Sequence, residues 1–116
     1  MSPLIEGDPA TAGDRADLQH LVGALSSILS VARQAFKVYD AEKAREDAQF
    51  HLEAAYVAWK RKHGIERVER DTLDWTRMMV ATKAQFQALE KAKRAERYAR
   101  GRLSAIILWY REGGAA

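Results

Sequence analysis

The nine residues from His63 to Asp71, His-Gly-Ile-Glu-Arg-Val-Glu-Arg-Asp, constrain this chain more than any other stretch. Neither glycine nor proline occurs between Gly23 and Gly64, or between Gly64 and Gly101. Uninterrupted stretches rich in alanine, leucine, glutamate, lysine and arginine form helices. A basic run, Lys60-Arg61-Lys62-His63, stands just before Gly64. Cations suit the negative end of a helix dipole, and glycine readily takes the left-handed conformation that closes a helix. Asp71 is placed to cap the next helix, with Asp74 in its first turn. The expectation is an all-α chain, a long antiparallel helical hairpin with helices over 14–63 and 72–112 and a turn over 64–71.

The flanks read differently. Residues 1–13 hold both prolines, Gly7 and Gly13, with little apolar content, and predict an irregular or disordered arm before an N-cap at Asp14. The Gly-Gly-Ala-Ala end, 113–116, predicts a frayed tail. One domain over 14–112 accounts for the rest.

Apolar residues recur at helical spacing from Leu18 through Leu21, Val22, Leu25, Ile28, Leu29, Ala32 and Phe36 to Tyr39. Past Asp40 a second stripe begins with Ala41, Ala44, Ala48, Leu52, Ala55 and Trp59. It lies about 140° around the helix from the first. The earlier face resumes at Phe50, Ala54 and Val57. Either one continuous helix contacts neighbours on two faces, or a break near Asp40 gives three helices. Nothing in the residues forces a break, so continuity is the favoured reading.

In the second helix, Ala81, Ala84, Ala88, Ala92, Ala95 and Ala99 lead into Leu103, Ile106 and Tyr110. Their steps form an 11-residue repeat, which predicts nearly straight or slightly right-handed packing. Ala41, Ala44, Ala48, Leu52 and Ala55 match Ala95, Ala92, Ala88, Ala84 and Ala81, each pair of numbers summing to 136. A hairpin folded at Val68 on an alanine-rich seam has that relation. Trp59 and Trp75 flank its tip and are expected to pack together.

Alanine buries little area, so such a seam gains little hydrophobic energy. The large residues point elsewhere: Leu25, Ile28, Leu29, Phe36, Tyr39, Phe50, Val57, Phe86, Leu89, Ile107, Leu108 and Trp109. These are the candidate self-association or partner interface, most simply of a homodimer forming a four-helix bundle. The alternative is that the N-terminal segment folds back over them.

Little else in the chain points to chemistry. No cysteine is present, which removes disulfides, thiol nucleophiles and thiolate metal sites. Asp47 and His51 share a helix face but lack a third ligand, and Asp17-Leu-Gln-His20 departs from the Glu-x-x-His pattern of di-iron bundles. No catalytic residue, metal ligand or cofactor is therefore expected, and no enzyme. Residues 1–59 carry five Lys/Arg and nine Asp/Glu, whereas 60–116 carry fourteen and seven. Much of that asymmetry can be internal complementarity between paired helices. Lys91, Arg94, Arg97, Tyr98 and Arg102 nonetheless form a basic face with an aromatic among the charges, a candidate nucleic-acid contact.

The opening residues lack the basic and apolar regions of a signal peptide, and the run Ala105–Tyr110 is far short of a membrane span. A cytoplasmic protein is expected. The reading that emerges is a non-enzymatic interaction module that self-associates and meets an unidentified protein partner. An adaptor, structural accessory or inhibitor of bacterial or phage origin would suit it. A nucleic-acid-binding hairpin is the alternative.

Overall fold

The computed structural model describes residues 9–114, and the surroundings of side chains from Gly13 onward. Among these residues there are three helices and no strand: α1 over Pro9–His63, α2 over Leu73–Ala81 and α3 over Lys83–Arg111. The all-α hairpin is present. Most of the expected irregular arm, 1–13, lies outside the described residues. The chain is already helical at Pro9, upstream of the expected cap at Asp14. The fixed φ of proline suits a first turn. Of the expected frayed tail, Gly113 and Gly114 close α3 by donating to the carbonyls of Tyr110 and Trp109, and the last two residues lie outside.

No break occurs near Asp40, and α1 is continuous there. The third helix arises at Thr82 instead. Its hydroxyl donates to the Met78 carbonyl at 2.7 Å, competing with the helix's own amide bond to that oxygen. Such back-bonding by threonine bends helices, and here it separates α2 from α3.

The tip follows from its residues. The Ile65 amide donates to the Lys60 carbonyl at 2.9 Å and the Gly64 amide to the Arg61 carbonyl at 3.2 Å. Gly64 has φ 66°. This paired closure needs a left-handed residue, which glycine supplies without strain. The cap of α2 is Thr72, not Asp71, since its hydroxyl accepts from the Trp75 amide at 3.2 Å. Asp71 takes φ 63° and turns the chain into the helix; a short polar side chain tolerates that region.

The chain forms two compact units. One comprises Phe36–Gly101, and within it the antiparallel sense is fixed by cross-helix pairs. Arg45 bonds Glu96 at 2.8 Å, Arg100 bonds Glu42 at 3.3 Å, and the Tyr56 hydroxyl reaches Met79 Sδ at 4.0 Å. On α1 the buried and half-buried row is Val38, Ala41, Arg45, Ala48, Leu52, Ala55 and Trp59. Facing it is the row Trp75, Met78, Thr82, Gln85, Leu89, Ala92, Glu96 and Ala99. Both rows alternate steps of three and four, the seven-residue period of left-handed coiled coils.

That geometry corrects the expected seam. Alanine is prominent in it, at Ala41, Ala48, Ala55, Ala92 and Ala99, but Ala44, Ala81, Ala84, Ala88 and Ala95 are exposed. A row holding Met78 and Leu89 removes more apolar surface from water than an all-alanine row does, at about 25 cal/mol per Å². The 136 relation would set Arg45 level with Lys91, a like charge. The observed register sets it against Glu96.

The core is thin. Val38, Leu52, Trp59, Met78, Leu89 and Ala99 are its buried apolar residues, and among the described residues no large side chain is fully enclosed. Trp59 is buried as expected, but its aromatic partner is His63, stacked at 4.2 Å between centroids, and not Trp75. The other unit joins the part of α1 up to Ala35 with the chain from Arg102. There Ser27, Val31 and Gln34 on α1, and Leu103, Ile106 and Tyr110 on α3, are buried or half-buried at the same alternating spacing.

Candidate interaction surface

Packing one heptad row of α1 against α2 and α3 leaves the other apolar row outside. In the Phe36–Gly101 unit, α1 exposes Phe36, Tyr39, Phe50 and Val57, and α3 exposes Phe86. Phe36 is 70% and Phe50 67% exposed, so neither belongs to the core. Between them Lys43 and Glu46 pair at 3.4 Å, and the Lys43 ammonium lies 5.4 Å from the Tyr39 ring centroid. Glu46, then Tyr39, raise the Lys43 pKa, which keeps it charged. In the other unit Leu25, Ile28 and Leu29 are exposed on α1, together with Leu18, Leu21 and Val22, and Ile107, Leu108 and Trp109 are exposed on α3. Eleven of the twelve interface candidates thus face solvent. Leu89 is the exception and the correction: it is 6% exposed, held in the seam because it falls on the heptad row that α1 covers.

The seam's charged cluster is structural. Glu96 accepts from Arg45 at 2.8 Å and lies 3.5 Å from Arg100, which also holds Glu42. The bond from Arg45, outweighing partial burial, holds the Glu96 carboxyl below the usual carboxylate range, and the same bond raises the Arg45 pKa. A polar pair at seam positions, here Arg45 with Glu96, specifies register more than it stabilises.

Lys91, Arg94, Arg97 and Tyr98 are all exposed on α3; Arg102, also exposed, belongs to the other unit. Of the acids on α1, Glu42 pairs with Arg100 of the same basic run, Glu46 holds Lys43, and Glu53 accepts from the neutral Gln49.

Two shallow hollows lie near the end of α1. One is lined by Val57, Lys60, Arg61, Gly64, Ile65 and Glu66, the other by Phe50, Glu53, Ala54, Val57, Ala58 and Arg61. Both are open to solvent, unlike the enclosed clefts that hold small molecules. Among the described residues no three of His, Asp and Glu cluster to hold a metal ion. By length and composition alone α1 is long and apolar enough to cross a membrane, with 11% of its most apolar window buried. Comparison with known proteins finds no matching family model, no similar curated protein and no similar solved structure.

Proposed function

We propose that this chain is a non-enzymatic helical interaction module of the cytoplasm, which self-associates and offers helical surface to a protein partner as an adaptor, structural accessory or inhibitor. One observation carries the reading. Among the described residues, seventeen large apolar side chains are exposed while six apolar residues are buried. Scattered exposed leucines would mean little. A row such as Leu18, Leu21, Val22, Leu25, Ile28 and Leu29 on one helix is what protein interfaces cover. Light scattering after gel filtration is the test. A dimer or larger species at micromolar concentration is expected, and a monomer that binds no hydrophobic dye would refute the reading.

A second reading is favoured by Lys91, Arg94 and Arg97, basic side chains exposed together on α3. If Lys91, Arg94 and Arg97 hold a phosphate backbone, three contacts give a slope of about −2.7 in log K against log salt. Submicromolar binding of duplex DNA near physiological salt, lost in Arg94→Glu with Arg97→Glu at unchanged helicity, would promote it. Retention confined to low salt leaves the interaction module in first place.

A further inference from the structure

Every residue from Gly13 to Ser26 is exposed, so this part of α1 has helical form without a packed neighbour. It carries Leu18, Leu21, Val22 and Leu25, and runs into Ile28 and Leu29, which are also exposed. A helical stretch of this length gains little from its own backbone in water and depends on a partner for its apolar face.

Resting on the self-association reading, we propose that this arm is the contact between two copies of the chain. The two α1 arms lie antiparallel about a two-fold axis between Gly23 and Ala24. Leu18 then meets the partner's Leu29, and Val22 meets the partner's Leu25.

Two features of the arm lead there. Leu18, Val22, Leu25 and Leu29 alternate steps of four and three, which is the period of helix-on-helix packing. Charge selects the antiparallel sense. Asp14 and Asp17, with Arg15 between them, give one end a net negative charge and Arg33 makes the other positive, so antiparallel arms bring opposite charges together, where parallel arms would bring like ones.

The charge balance also argues against an anionic lipid surface as occupant. Helices that lie on anionic membranes are rich in lysine and arginine. From Gly13 to Leu29 the charged residues are Asp14, Arg15 and Asp17, a net acidic set.

The chain has no cysteine, so single cysteine variants report on this contact without background. Leu18→Cys mixed with Leu29→Cys under mild oxidation is expected to give the mixed disulfide in excess over either homodimer. Homodimers from each variant alone at equal yield mean parallel arms and overturn the arrangement. No disulfide at either site, while light scattering shows the unmodified chain to be dimeric, overturns this contact and leaves self-association standing. A wild-type monomer removes both. Val22→Glu in the full chain is the second variant. It is expected to weaken the dimer about tenfold or more, because it opposes a charge to an apolar side chain, with helicity unchanged. Unaltered dimerisation overturns the contact, and so does wild-type co-sedimentation with phosphatidylserine vesicles that Val22→Glu abolishes.

Discussion

Ala99 and Ala88 are both alanines of α3, yet the structure assigns them opposite fates when enlarged. Ala99 is 7% exposed and sits in the seam row with Glu96 and Ala92, whereas Ala88 faces solvent. Leucine and alanine differ little in helix propensity, so Ala→Leu at either site changes packing and little else. At Ala99 the added carbons press into the facing row of α1. Overpacking of this kind costs about 1–3 kcal/mol. At Ala88 they meet water, and a surface change stays within about 0.5 kcal/mol either way. For a chain of this size about 4 °C of Tm accompanies each kcal/mol, so Ala99→Leu is expected to lower Tm by about 4–12 °C and Ala88→Leu by about 2 °C or less. Thermal melts followed by circular dichroism, with all chains at one concentration because a self-associating protein's Tm depends on it, provide the comparison. A large drop for Ala88→Leu beside a neutral Ala99→Leu would refute the heptad seam and restore the alanine row.

Three further outcomes follow from the seam and the tip. Leu89→Ala should cost about 2–5 kcal/mol in denaturant unfolding, since a buried leucine leaves a cavity as well as losing burial. Because Glu96 has a lowered pKa, its contribution is complete above the unfolded glutamate pKa of about 4.3 and is lost as pH falls through its lower folded pKa; the Tm gap between wild type and Glu96→Gln should therefore be present at neutral pH and close in acid. Gly64→Ala should cost about 1 kcal/mol, because alanine pays for the left-handed φ of 66° that glycine takes freely, and a chemical melt checks it.

Two helices and their turn were legible because Gly64, the basic run before it and the long glycine-free intervals each act locally. The outward-facing residues were legible for a related reason. Large side chains such as Phe36 and Phe50 interrupt any small-residue seam, so they had to point away from it. The seam itself was not. Alanines occupy several rows of α3, so an alanine pattern selects none of them, and the row that packs includes Thr82, Gln85 and Glu96, which hydrophobic periodicity assigns to the surface. Glu96 and Thr82 are tolerated inside because partners satisfy them, Arg45 for Glu96 and the Met78 carbonyl for Thr82, whereas the buried Gln85 Oε1 has no hydrogen-bond partner among the described residues. Charge matching across the helices was the available clue. Arg45 with Glu96 and Glu42 with Arg100 share nearly one register, and that register is incompatible with the 136 relation. The cap at Thr72 was missed because Asp71 is the stronger capping type, and only the backbone conformation shows that it serves the turn instead.

Amide hydrogen exchange, measured across protein concentration, tests most directly whether the apolar surface left outside is the working surface. Exposed helix without packed neighbours opens easily, whereas the segments carrying Leu52 and Leu89 are held in the seam. The expected result is that amides from Gly13 to Leu29 exchange quickly in dilute protein and become protected as concentration rises, while protection around Leu52 and Leu89 does not change. Protection of the Gly13–Leu29 segment that is the same at every concentration would contradict self-association through this face.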